Sequence, residues 1–151
     1  MLKAPVNIET VMEEWRIDSR IDSTEPAKEL LKIPSLHSKY LDVYTHHNLL
    51  AKKAIINYNK AKLTKTQWLH GDLNNKEDLE FHKLEPNPKK IMRSDIPLHT
   101  DADDDLNNLL LKKIIHEEIC NYCQSVLKEL HSRTFQLRSY IDYIKFTNGA
   151  G

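Results

Sequence analysis

The sequence predicts a mostly α-helical protein that forms a single domain over residues 1–151. Glycine, which marks tight turns and helix ends, occurs only at positions 71, 149 and 151. Two stretches, 36–69 and 106–146, contain neither glycine nor proline, and their apolar residues recur with the three- and four-residue spacing of a helix. These observations predict few β-hairpins and two long helices.

The acidic N-terminal segment, residues 1–34, is predicted to contain two short helices. Asn7 would cap the first helix. Its buried face would be formed by an apolar stripe of Ile8, Val11, Met12 and Trp15. After a break at the sequence IDSTEP, a second helix would pass through Leu30 and Leu31. We expect it to stop at Pro34, because proline disfavours the helical conformation of the residue before it.

The next segment, residues 35–71, is predicted to be one long basic helix. Ser35 would cap its start, an apolar stripe would run from Leu36 to Ala61, and Gly71 would end it. At 1.5 Å per residue, such a helix would be about 50 Å long.

Residues 72–102 are predicted to form a loop. They contain Pro86, Pro88 and Pro97, and their apolar residues follow no stable period. One or two short strands are expected around the sequence KKIMRSDIPLH.

The last segment, residues 103–148, is predicted to be a second long helix. Asp103 or Asp104 would cap it in the favourable field of a helix N-terminus, and Gly149 would end it. Its sequence LNNLLLKKIIHEEI places apolar residues around more than one narrow seam, so apolar surface remains for a second partner. We therefore predict a homo-oligomer.

Charge is distributed unevenly, although the formal net charge is zero. Residues 9–29 carry seven acidic groups against three basic ones, and residues 95–105 carry five aspartates and no basic group. Residues 39–65, in contrast, carry six lysines against one aspartate. Such a mosaic suits a protein that meets an anionic polymer with one surface and proteins with another, although it is equally typical of a solvated surface.

Several function classes are excluded by the motifs that the chain lacks. No G-x-x-x-x-G-K-[ST] sequence is present, so a nucleotide-driven motor is not expected. The sequence HEEIC, 116–120, has cysteine where a zinc protease needs its second histidine. DADDDL, 101–106, lacks the glycine and glutamate of a calcium loop. No apolar run could span a membrane or serve as a signal core, so we expect a soluble intracellular protein. Since the motifs above are missing, we also expect no enzymatic activity and no cofactor.

A zinc site remains as an alternative interpretation. His116, Cys120 and Cys123 would lie near one face of the last helix, and His131 or a residue of another subunit would have to supply the fourth ligand. Buried helical cysteines, however, more often act as small hydrophobic residues, and two cysteines this close together fit a reducing compartment.

The lysine-rich part of the long basic helix is the candidate interface for nucleic acid. Lys53 and Lys60 nearly coincide on a helical wheel, opposite the apolar stripe, and residues 43–71 contain no acidic side chain. Lysines spaced along a rigid helix can neutralise successive phosphates, while nearby aromatic rings can stack on unpaired bases. The candidate DNA-binding residues are Lys52, Lys53, Tyr58, Lys60, Lys62, Lys65 and Trp68.

Seven short motifs in register resemble the UvsY recombination mediators of tailed, T-even-like bacteriophages. They are IDST (21–24), LHSKYL (36–41), KAKL (60–63), DADDDL (101–106), Cys123, SRTF (132–135) and the final YIDYIKFTNG (140–149). The resemblance covers almost the whole chain, which is longer than the family in the 72–93 region. A Lys-Ala-Arg-Leu motif contacts DNA in the family and corresponds here to Lys60-Ala61-Lys62-Leu63, with lysine in place of arginine.

The resemblance implies a non-enzymatic accessory of DNA recombination, repair and replication. Such a protein binds single-stranded DNA, weakens the hold of the phage single-strand-binding protein and helps to load the phage RecA-like recombinase. It acts in the cytoplasm of the infected bacterial host as a ring of six or seven subunits. The SRTF segment corresponds to the family's assembly region.

The candidate residues for assembly combine this resemblance with the apolar surplus of the last helix. They are Leu106, Leu109, Leu110, Ile114, Ile115, Ile119, Phe135 and Ile141. Two alternatives remain open at this point: a helical oligomeric scaffold that binds only proteins, and a zinc-stabilised structural protein without DNA binding.

Overall fold

The computed structural model describes residues 7–73, 75–87 and 91–149. Within these ranges the chain forms five α-helices and no β-strand, which confirms the all-α prediction. The helices are α1 (Ile8–Asp18), α2 (Pro26–His70), α3 (Lys76–His82), α4 (Ile96–Asp101) and α5 (Asp104–Thr147). In this described part of the chain, no helix combines the length and apolar character needed to cross a membrane.

The chain divides into two compact units. One comprises residues 1–49 and 115–151, and the other comprises residues 50–114. We call them the terminal unit and the central unit. The single-domain organisation stays a prediction.

The core of the terminal unit is formed by α1, the first half of α2 and the part of α5 that belongs to this unit, from residue 115 on. Its buried members are Val11, Tyr40, Ile119, Cys123, Val126 and Leu130. Tyr40 is fully buried, and its hydroxyl donates a hydrogen bond of 2.9 Å to Asp18. Burial and this bond raise the pKa of Tyr40, so the hydroxyl remains a donor. Lys39 reaches the same carboxylate at 2.7 Å, and both contacts fasten α1 to α2.

Arg133, in the SRTF motif, is buried inside the terminal unit. Its guanidinium lies 5.3 Å from the centre of the Trp15 ring and donates a hydrogen bond of 3.0 Å to the carbonyl of Ser19, which caps α1. A cation at a helix C-terminus is electrostatically favourable. Through Arg133, the motif thus holds the C-terminal end of α1 against α5 of the same chain.

The prediction that Pro34 ends a short helix is wrong, as is the prediction that Ser35 begins the long one. Pro34 lies inside α2, which runs without a break from Pro26. An internal proline loses one hydrogen bond and strains the preceding turn at a cost of about 3 kcal/mol. Ile33 and Leu36, on either side of it, pack against the core, and this packing outweighs the local cost.

Other predicted helix ends are confirmed. The side chain of Asn7 accepts a hydrogen bond from the backbone N–H of Thr10, and Asp103 accepts one of 2.9 Å from that of Leu106. Gly71 and Gly149 follow the two long helices with φ values of 87° and 66°, the left-handed conformation that glycine adopts without strain.

The predicted loop is partly helical. It contains α3, which Asn75 caps, and α4, whose Ile96 and Thr100 are buried. The expected strands are absent from the described part of this segment, and Pro88, Lys89 and Lys90 lie outside the described residues. Periodicity could not reveal helices of seven and six residues, because each presents only one or two buried positions.

A histidine pair lies within the terminal unit where α2 meets α5. The Nδ1 atoms of His47 and His116 are 2.9 Å apart, so one ring donates a hydrogen bond and the other accepts it. Burial, together with neighbouring His46, lowers the pKa of both His47 and His116. In the folded chain these two rings are therefore held neutral.

We expect the free energy of unfolding to fall as the pH drops below about 6.5, the ordinary pKa of histidine. Between that pH and the lowered pKa of the folded state, the unfolded chain binds more protons, so stability declines towards acid. Denaturant titrations at several pH values measure this slope, and His47→Gln is expected to flatten it. His37→Gln, at an exposed position of α2, is the matched control. If the wild type and both variants show the same slope, the His47–His116 pair is not the source of the pH dependence.

The two cysteines are buried thiols of the same unit. Burial raises the pKa of Cys120, and it raises the pKa of Cys123 to about 11. The Cys120 thiol lies 3.6 Å from the carbonyl of Tyr44. Among the described residues, no group of three or more histidine, cysteine, aspartate or glutamate side chains is arranged to hold a metal ion. Burial of both thiols is typical of cysteines that pack as small apolar side chains.

Candidate nucleic-acid interface

The part of α2 that lies in the central unit presents a row of cations. Lys52, Lys53 and Lys60 are exposed, and Lys62 is half-buried on the side of the helix that carries Tyr58. We call these four residues the basic face. Within residues 7–73, 75–87 and 91–149, none of the four ammonium groups forms a salt bridge. A row of cations without internal counterions is suited to bind an external polyanion.

Apolar side chains lie among these cations. Ile56 and Leu63 are more than half exposed on the same turns of α2. Their exposure was not anticipated, because the sequence pattern draws attention to aromatic residues. Aliphatic side chains between lysines give the basic face apolar patches that could contact the bases or sugars of a strand.

Tyr58 and Lys62 form an interacting pair on consecutive turns of α2. The Lys62 ammonium lies 5.8 Å from the centre of the Tyr58 ring, within the range of a cation–π contact. Both side chains are half-buried, so part of each remains accessible. This pair joins the predicted phosphate-binding and stacking groups at one place.

Lys65 and Trp68 are engaged inside the central unit. The Lys65 ammonium lies 3.0 Å from the carboxylate of Asp103 and 4.7 Å from the centre of the Trp68 ring. The Trp68 indole N–H donates a hydrogen bond of 2.7 Å to the carbonyl of Glu85. Partial burial raises the pKa of Asp103, but the hydrogen bonds from Leu106 and Lys65 outweigh it and leave the pKa lowered. These contacts assign Lys65 and Trp68 a structural role alongside any contact with DNA.

A cleft of about 420 Å³ adjoins the basic face in the central unit. Its lining includes the charged or titratable side chains of Lys62, His70, Asp72 and Arg93. Arg93 donates from Nε to Nε2 of His70 at 3.0 Å, and Nδ1 of His70 lies 3.2 Å from the Asp72 carboxylate. Since arginine can only donate, His70 accepts at Nε2 and directs its own proton from Nδ1 towards Asp72.

The segment that carries Arg93 is attached to the end of α2. The backbone N–H of Ile91 donates to the carbonyl of Leu69 at 3.0 Å, and the side-chain amide of Asn87 donates to the carbonyls of Trp68 and Leu69. These bonds satisfy carbonyls that a helix end leaves without partners. Sequence reasoning missed Arg93, because no spacing relates a loop residue to a helix that ended some twenty positions earlier.

The candidate assembly residues fall into three groups. Leu106 and Ile119 are buried within the chain, at 2% and 1% exposure. Leu109, Leu110 and Ile141 are half-buried. Ile114, Ile115 and Phe135 are exposed, as is the neighbouring Leu111. The exposed group is the most accessible to a partner, and the two buried residues are not accessible without rearrangement of the fold.

Comparison with known proteins identifies the family. The sequence profile described as "Recombination, repair and ssDNA binding protein UvsY" matches residues 14–150, which is nearly the whole chain. The chain belongs to the UvsY family.

Solved structures agree with this family in fold. The UvsY recombination mediator of bacteriophage T4, in a crystal form called lattice type II, matches with a TM-score of 0.82 at 20% identity. The match covers 97% of this chain and 99% of the T4 chain. The type I crystal form gives a TM-score of 0.79 at 19% identity, over 91% of this chain and 98% of the other. Comparison with curated protein sequences finds no match.

Membership of the UvsY family supports a role as a recombination mediator. The residues of the KAKL motif, 60–63, lie within the UvsY match and carry two of the four cations of the basic face.

Proposed function

We propose that this UvsY-family protein is a non-enzymatic recombination mediator that binds single-stranded DNA on its basic face. It helps to load a phage RecA-like recombinase onto DNA covered by the phage single-strand-binding protein. The observation that carries the proposal is the set of four lysines on one stretch of α2, Lys52, Lys53, Lys60 and Lys62, without salt bridges to the described residues. Family membership supports it independently.

Binding through this face would be dominated by electrostatics. Each lysine that neutralises a phosphate releases counterions, so the affinity falls steeply with salt. Apolar Ile56 and Leu63, with the ring of Tyr58, add contacts to bases that require no particular sequence. The protein would thus bind any unpaired strand and release it without a covalent step.

Assembly would multiply these weak contacts. We propose a homo-oligomer of six or seven subunits, in which several basic faces share one strand and raise the effective concentration of each contact. The exposed apolar residues of α5, among them Phe135 at 57% exposure, support a subunit interface. A strand held on such a ring would be less accessible to the single-strand-binding protein and could pass to the recombinase. The exposed acidic groups of residues 9–29 are candidates for contacts with these proteins, and the site of action would be the cytoplasm of the bacterial host.

Sedimentation of the protein with and without an oligo(dT) strand, over a series of salt concentrations, tests assembly and DNA binding together. We expect a mass of several subunits without DNA and co-sedimentation with the strand at low salt. Binding should weaken steeply as salt rises. A monomer with no affinity for the strand at low salt would refute the proposal, and an oligomer without such affinity would favour a scaffold that binds only proteins.

Phe135→Asp is expected to reduce the oligomer mass in the same experiment, because a carboxylate in an apolar interface loses its hydration. DNA affinity should fall with the loss of shared contacts. Gln136→Asp, at the adjacent exposed position, introduces the same charge and is the matched control. An unchanged mass for Phe135→Asp would remove this residue from the interface.

A further inference from the structure

We infer that the cleft between Lys62 and Arg93 is a pocket for one nucleotide unit of the bound strand, receiving its base and its phosphate. The inference rests on the proposed function and adds to it, because the basic face offers phosphate contacts and open apolar patches but no enclosed site for a single nucleotide. The cleft lies entirely within the central unit, at the edge of the basic face where Lys62 belongs to both.

The size of the cleft fits such a ligand. Pockets for small molecules and cofactors have volumes of about 300 to 1,000 Å³ and combine apolar walls with a few polar groups. This cleft measures about 420 Å³. Ile96 and Pro97 form its apolar wall, and Ile96 is anchored in the fold at 6% exposure. A flat base can therefore be covered on one side by aliphatic surface.

The charges in the cleft suit a phosphate. Lys62 and Arg93 bring two cations, and the single carboxylate, that of Asp72, faces His70. Arg93 uses only its Nε in hydrogen bonding to the described residues. Both terminal nitrogens of its guanidinium remain as a planar fork that can bind phosphate oxygens or stack on a base.

The polar wall can read a base edge. Thr66 and Gln67, on consecutive positions of α2, line the cleft, and their side chains form no hydrogen bond with other described residues. The amide of Gln67 both donates and accepts, and so does the hydroxyl of Thr66. These two groups complement the mixed donors and acceptors of a nucleobase.

The hydrogen bonds that join Arg93 to His70 and His70 to Asp72 preorganise these side chains before a ligand binds. Arg93 is held at 3.0 Å from His70, whose ring is held in turn at 3.2 Å from Asp72. A guanidinium fixed in this way loses less conformational freedom on binding than a free side chain.

The test compares two labelled strands of equal length by fluorescence anisotropy: oligo(dT) and a strand of abasic residues with the same phosphates. Wild-type protein is expected to prefer oligo(dT) about tenfold, since each base that stacks in a pocket adds affinity. Arg93→Ala and Gln67→Ala should reduce this preference to about twofold or less. Arg93→Lys should retain phosphate binding but lose part of the preference.

Controls distinguish the pocket from the basic face. Lys60→Ala should weaken both strands by the same factor, and Arg138→Ala, an exposed arginine of α5, should change neither. Circular dichroism verifies that each variant is folded. In a strand that carries 4-thiothymidine, photocrosslinks should map to the peptides with Gln67 or Arg93.

Each other outcome overturns the inference in a recognisable way. Equal wild-type affinity for both strands would refute the pocket while leaving DNA binding on the basic face intact. No affinity for either strand would refute the proposed function and the pocket together. Binding of free thymidine monophosphate that Arg93→Ala abolishes, with strand binding unchanged, would assign the cleft to a free nucleotide and not to the strand.

Discussion

Replacing both lysines of the KAKL motif, Lys60→Ala with Lys62→Ala, is expected to reduce the affinity for single-stranded DNA at least about tenfold at low salt. Each lost phosphate contact lowers the slope of log affinity against log salt by about 0.7 on a single strand. The slope should thus fall by about 1.4 for each subunit that contacts the strand. Fluorescence anisotropy with labelled oligo(dT), measured over a salt series, gives both quantities.

Two further variants separate charge from geometry. Lys60→Arg with Lys62→Arg retains the positive charges and should preserve the slope. Lys112→Ala with Lys128→Ala removes two exposed lysines of α5 and should leave affinity and slope close to wild type. If the KAKL double variant kept the wild-type slope, these residues would not contact phosphates.

Leu130→Ala is expected to lower the free energy of unfolding by about 2 to 5 kcal/mol. Leu130 is fully buried in the core of the terminal unit, at 0% exposure, and its truncation leaves a cavity that close-packed neighbours cannot fill. Urea titration at a fixed protein concentration measures the change, since assembly makes stability depend on concentration.

The matched control is Leu31→Ala, which removes the same atoms from a leucine of α2 that is 80% exposed. We expect it to change the free energy of unfolding by about 0.5 kcal/mol or less. Equal effects of the two substitutions would show that the described core does not stabilise the chain.

Local patterns predicted most of the helical framework. Asn7 and Asp103 were recognisable as helix caps, and the two glycines at 71 and 149 as helix ends, because these signals depend on neighbouring residues alone. The same local logic failed at Pro34. There the unfavourable conformation is compensated by core contacts from α1 and α5, which are distant in sequence.

At the candidate interface, too, local features were predictable from the sequence and contacts between distant segments were not. Uncompensated charge on residues 43–71 indicated the lysines, and the structure leaves Lys52, Lys53 and Lys60 exposed. No local pattern indicated that Asp103, some forty positions away, would pair with Lys65. The sequence also could not show that Arg93 and Lys62 would line the same cleft.

The sequence by itself determined the all-α class, the C-terminal ends of both long helices, the start of α5 and the lysine-rich stretch, because periodicity, capping and charge act over a few neighbouring residues. Only the tertiary structure decided which lysines have internal partners, which apolar residues of α5 remain exposed and where a pocket forms. Those properties arise when segments far apart in the chain are packed together, and their contacts depend on distances that no local pattern encodes.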